Sequence, residues 1–257
     1  MRLKPHLPLL FVMLAATLPG SAATMDNPLY GDPAHPNFSG MWNPEFVYLG
    51  PPPGSTPGAA PAFPPRPPAG AGGAAPPPFA PPPVPELTGP YAKRFAAWQK
   101  AFESGTQEPD TVTRCLAFGI ARFGTMPVEI IQTPGQITMN LGVIHDIRRI
   151  FLDGIGHTTG ADPSFNGDSV GHWEGDTLVV ETNNIRAATL DRNGVPYSDK
   201  LTVVERIHLI NPKRLEIEMT LTDPEAFKAP FTIKRAYVPM PKGSRFEEYV
   251  CENNQDI

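Results

Sequence analysis

Apolar and polar residues alternate through the second half of the chain. Leu215, Ile217, Met219 and Leu221 interleave with Glu216, Glu218, Thr220 and Thr222, the two-residue period of a strand with one wet face. The same period marks Val128–Thr133, Gln136–Leu141, Ile144–Leu152, Thr177–Thr182, Leu201–Ile210, Phe231–Val238 and Arg245–Cys251. Turn-forming residues fill the gaps: Pro134-Gly135, Asp153-Gly154, Glu174-Gly175-Asp176, Asn193-Gly194 and Asn211-Pro212-Lys213-Arg214. About eight sequential strands without intervening helices predict a mainly β fold, an antiparallel meander. Closing it as a small calycin- or lipocalin-like barrel would remove the exposed edges, and an open β-sandwich is the alternative. One helix is predicted ahead of the strands. Thr88 can cap it, Pro90 suits its first turn, and Tyr91, Phe95, Trp98 and Phe102 recur at helical spacing before Gly105.

Composition divides the rest of the chain. In residues 1–23, Arg2 and Lys4 precede an apolar run from Leu7 to Leu18 and then Ser21-Ala22-Ala23, the order of a cleavable signal peptide. The run is too short to cross a bilayer, and no later stretch is apolar enough to do so. The expected mature protein is periplasmic or secreted. Residues 24–50 form a short, more apolar N-terminal segment able to dock on the main domain. Residues 51–85 are a Pro/Gly/Ala-rich arm or linker, since half of the 34 prolines fall between 51 and 90 and such a chain favours polyproline II. Residues 86–257 are left for the helix and the β domain.

Loss of the leader takes two cations with it and leaves 19 against 26 acids, a formal charge of −7. That balance argues against a nucleic-acid partner. Export changes the meaning of the two cysteines, Cys115 and Cys251, because an oxidising compartment permits a disulfide between them. Closing so long a loop would stabilise the fold by roughly 4–5 kcal/mol in the chain-entropy account. A metal pair is the weaker alternative, for neither cysteine has zinc-site spacing.

Candidate chemistry clusters between His145 and Asp176. Strand alternation puts His145 and Arg149 on one face of Ile144–Leu152, and Asp146 and Arg148 on the other. If the face with Val143, Ile147 and Phe151 is the inner one, a histidine and an arginine project into an apolar pocket. An imidazole exchanges protons near neutral pH, and a guanidinium holds a carboxylate or developing oxyanion. A charged strand facing solvent is the plainer reading. His157, Asp162, Asp168 and His172 follow in glycine-rich sequence. They make further acid–base candidates or a mixed histidine–carboxylate metal set, although their spacing fits no compact ligand motif. Farther on, Glu205 and Arg235 share faces with apolar residues and invite a buried pair.

The segment Phe165-Asn166-Gly167-Asp168-Ser169-Val170-Gly171-His172-Trp173-Glu174-Gly175-Asp176-Thr177-Leu178-Val179-Val180 resembles a large family of uncharacterised secreted bacterial proteins with an FNGxSxGxWEGDTLVV core. The resemblance implies a fold and an exported location rather than a reaction. Within the segment, Trp173, Glu174, Gly175 and Asp176 read first as a structural turn, Gly175 supplying the positive φ and Trp173 covering a barrel end.

Together these features predict an exported barrel that converts a small, partly apolar or aromatic organic molecule by acid–base chemistry without a cofactor, as a lyase, isomerase or hydrolase. The proposed catalytic set is His145, Arg149, His157, Asp146, Asp168 and His172. Non-catalytic binding of such a molecule and a structural role in the envelope are the alternatives. Oligomeric state is not legible.

Overall fold

A computed structural model of the chain describes residues 32–45, 84–108, 111–142, 146–191 and 193–246. The leader, His145, Cys251 and nearly all of the Pro-rich segment lie outside those residues, as does most of the Arg245–Cys251 strand.

Among the described residues, nine strands close into one barrel in chain order. They are β1 (Gly40–Glu45), β2 (Val128–Thr133), β3 (Gln136–Leu141), β4 (Ile147–Phe151), β5 (Asp168–Glu174), β6 (Thr177–Asn183), β7 (Thr202–Asn211), β8 (Arg214–Thr222) and β9 (Phe231–Pro239). Every neighbouring pair is antiparallel except β4 and β5, which run parallel. The barrel is therefore mixed rather than a pure meander. A parallel step needs a long return, and residues 152–167 supply it across the outside of the β4–β5 seam.

Alternation is clean where the sequence promised it. In β8, Leu215, Ile217, Met219 and Leu221 are buried and point inward. The β9 inward set is Phe231, Ile233, Arg235 and Tyr237. Side chains fill the interior, as expected of a small barrel.

Helix α1 (Gly89–Glu103) starts after Thr88 with Pro90 in its first turn, as its sequence predicts. The Thr88 hydroxyl does not cap it but donates to the Glu225 carbonyl at 2.6 Å. Tyr91 is buried, whereas Phe102 is exposed and stacks on Trp98. A four-residue helical turn, α2 (Ile120–Phe123), is wholly buried at the end of the barrel where β2 begins. Carbonyls of α2 and its C-cap accept hydrogen bonds from interior side chains: Arg235 Nη2 donates to Ala121 O at 2.5 Å and the Tyr237 hydroxyl to Gly124 O at 2.6 Å.

The N-terminal segment does more than dock. β1 closes the barrel between β2 and β9, and the residues before it strap the hairpin end. Gln132, with no exposed surface, holds this strap. Its side chain accepts from Phe38 N–H at 2.9 Å and donates to Pro36 O at 3.0 Å. Phe38 is buried beside Trp173, and His35 stacks on the same indole with ring centroids 4.5 Å apart.

Candidate functional site

β4 presents the opposite face from the one that would put His145 and Arg149 in a pocket. Arg148 and Ile150 point inward, while Ile147 and Arg149 are exposed. The register explains this. Arg148 lies opposite Met139 of β3, whose side chain is interior. Arg148 is tolerated there because every guanidinium nitrogen is engaged. Nη1 donates to Glu205 Oε1 at 3.1 Å, Nη2 donates to Glu205 Oε2 and to Thr182 Oγ1, and Nε donates to Ser169 Oγ at 3.2 Å. Glu205 thus pairs with Arg148 and not with Arg235. Arg235 instead contacts Met219 Sδ at 3.3 Å and bonds the α2 carbonyl. Burial lowers the Arg235 pKa, with Tyr237 and then Glu205 opposing, and the same burial pushes the Tyr237 hydroxyl up to about 12. Such a neutralised, enclosed network holds strands together.

Asp146 is also buried and also structural. It accepts from Phe118 N–H at 2.9 Å and from the Asn166 side-chain amide, which fixes the approach to α2. Burial raises its pKa, opposed in turn by the hydrogen bonds from Asn166, Phe118 and Gly119.

The outer face of the β4–β5 seam gathers three of the predicted residues. Ile150 pairs with Ser169 in parallel register, so the preceding residues, Arg149 and Asp168, sit side by side on the outside. The crossover then lays His157 on Asp168. His157 Nδ1 and Asp168 Oδ2 are 3.2 Å apart, and the carboxylate also accepts from Thr158 N–H at 2.6 Å. The tautomer that donates Nδ1–H to this carboxylate leaves a lone pair on Nε2. Arg149 is exposed on the same outer face of the adjacent strand and makes no ion pair among the described residues.

His172 is not part of this group. It lies on the same outer face but four residues along β5 from Asp168, roughly 13 Å away. It contacts Glu174 at 3.5 Å, and Glu174 pairs with Arg206 at 2.9 Å. Arg206, followed by His172, holds the Glu174 carboxyl below its ordinary value. Asp162 contributes a backbone carbonyl, which accepts from Asn184 at 3.2 Å. Among the described residues no cluster of three His, Cys, Asp or Glu side chains has metal-site geometry.

Trp173, Glu174, Gly175 and Asp176 form the tight β5–β6 hairpin. Glu174 pairs with Thr177, and Gly175 takes φ +61. Trp173 reaches the strap at the hairpin end. Cys115 sits in left-handed conformation at the end of a short 3-10 turn and is not free.

Sequence reasoning missed Arg148, Ser169 and Thr182 as an interior set. The available signal was weak: an alternation with Asp146, Arg148 and Ile150 on one face, which reads as the wet side. No family model, curated protein or solved structure matches this chain.

Proposed function

We propose that the chain is an exported enzyme that moves a proton on a small, partly apolar organic acid or carbonyl compound at the outer face of the β4–β5 seam. His157 is the base, Asp168 holds its ring and tautomer, and Arg149 receives the negative charge that develops on the substrate. The observation that carries this reading is the His157–Asp168 contact at 3.2 Å, with the exposed Arg149 on the outer face of the neighbouring strand. A base held by a third group, with a cation on the same face able to reach the developing charge, suits proton abstraction.

The surroundings favour a substrate with an apolar portion. Ile147, on the face of Arg149, is 45% exposed, and Ile155, two residues before His157, is 83% exposed. Isomerisation and elimination both begin with this proton transfer. Hydrolysis needs the same base to activate water.

Export and a Cys115–Cys251 disulfide belong to the same reading. The leader-like residues 1–23 motivate the first, and a non-free Cys115 in a chain with two cysteines motivates the second. Peptide mapping without reduction should yield one linked pair and a mature N-terminus after Ala23. Two alkylatable thiols would overturn the disulfide.

The enzymatic reading is tested by turnover on a panel of phenolic acids, keto acids, lactones and terpenoid acids. His157→Gln should abolish conversion, and Arg149→Gln should weaken it mainly for anionic substrates. Conversion unaffected by both changes would overturn the assignment.

A further inference from the structure

A concavity lies across the barrel from the His157 site in strand order. It opens at the hairpin end, between the start of β1, the end of β9 and the β7–β8 turn, with a volume of about 570 Å³. That size falls within the range of small-molecule sites. Its walls are apolar: Trp42, Met41, Met240 and Leu209, with Pro212, Pro239 and Pro241 around the rim.

Each uncharged polar side chain of the lining makes a hydrogen bond within the protein. The Trp42 indole N–H donates to Phe38 O at 2.9 Å. Asn37 Oδ1 accepts from Ser39 N–H at 2.9 Å, Ser39 Oγ accepts from Gln132 N–H at 3.1 Å, and the Ser244 hydroxyl donates to Pro241 O at 2.7 Å. Lys242 is the exception: it is the one cation of the lining, which contains no carboxylate, and its ammonium has no ion pair among the described residues. On a chain with five more acids than cations overall, a cleft with this lining is a local reversal of sign.

We infer that this cleft binds small amphiphilic monoanions, with an aromatic or aliphatic body between Trp42, Leu209 and the two methionines and a carboxylate or sulfonate at Lys242. Methionine thioethers adapt to varied apolar shapes, so selectivity rests on the charge and size of the ligand more than on its outline. Strong retention is not required. One exposed ion pair contributes only about 0.2–1 kcal/mol, so the apolar body supplies most of the affinity. The site is independent of the proposed proton-transfer chemistry.

The test uses the full mature chain with methyl-labelled methionine, titrated with 2-naphthoate and, separately, with neutral 2-naphthylmethanol. Both should shift the Met41 and Met240 methyl resonances and leave the core residues Met139 and Met219 in place. Lys242→Gln should weaken naphthoate by about two- to fivefold, the factor expected for one exposed pair, and leave the alcohol unchanged. Leu209→Asp should remove both responses, and His157→Gln should remove neither. Absence of shifts at Met41 and Met240, or equal loss of both probes in Lys242→Gln, would overturn the inference.

Discussion

Arg148 and Glu205 meet in a two-pronged ion pair inside the barrel, each only 2% exposed. They come from β4 and β7, and Ser169 and Thr182 on the intervening strands complete the shell. The pair therefore braces the β4–β5 seam, where the parallel register covers only two residue pairs. Removing one partner leaves the other charge buried and uncompensated, which costs about 3–5 kcal/mol. Glu205→Gln and Arg148→Met should each lower urea-unfolding stability by that order. The double variant Arg148→Met, Glu205→Leu should recover much of the loss, and additive losses would contradict the account.

Gly124 is required for lack of a side chain rather than for its backbone angles. A Cβ there would lie 2.6 Å from Arg235 and 2.7 Å from the Tyr237 hydroxyl. Gly124→Ala should therefore destabilise by about 1–3 kcal/mol, the usual cost of overpacking. The near-ultraviolet circular dichroism of the buried tyrosine should change with it. An unchanged melting temperature would show that α2 can shift aside.

The N-terminal strap depends on one amide. Gln132→Ala removes the side-chain hydrogen bonds to Phe38 and Pro36 and leaves buried backbone groups unsatisfied, at about 1–3 kcal/mol. Hydrogen exchange should accelerate at Phe38 while the β8 amides stay protected. Equal acceleration in both would mean that the strap is not a separate unit.

Asp146 gives the fold a pH dependence of defined sign. Its folded-state pKa lies above 3.8, burial being the main cause. The folded state therefore takes up the proton before the unfolded state does, and this group's contribution to stability rises as pH falls from that raised value to 3.8. Wild type should gain on Asp146→Asn between neutral pH and pH 4 in chemical unfolding. Parallel stability curves for the two proteins would contradict the shift.

Much of the barrel is legible in the chain because β8 and β3 keep a strict two-residue period, and β2 and β9 keep it apart from Ile131 and Gln132 in the one and Arg235, Ala236 and Val238 in the other. β1 is hidden by Pro44, which reads as a linker residue. Proline is tolerated there because β1 pairs with β2 only over Gly40–Trp42, leaving Pro44 with β9 as its single neighbour. β5 is hidden by Gly171 and by its partner: its pairing with β4 is parallel and crosses a loop, so only the turn to β6, Glu174-Gly175-Asp176, marks it locally.

The site was half legible for a related reason. His157 and Asp168 could be named from composition, but their contact depends on the path of the crossover. The facing of Arg148 is set by Glu205, 57 residues away, and no local period contains that information.

The proton transfer proposed for His157 is measured by deuterium exchange, whatever the eventual product is. Small carboxylates and ketones would be incubated with the mature protein in D2O and followed by proton NMR for loss of the signal next to the carbonyl. Exchange into at least one compound, abolished by His157→Gln and slowed by Asp168→Asn, is the predicted result. Exchange that persists in both variants would contradict the assignment.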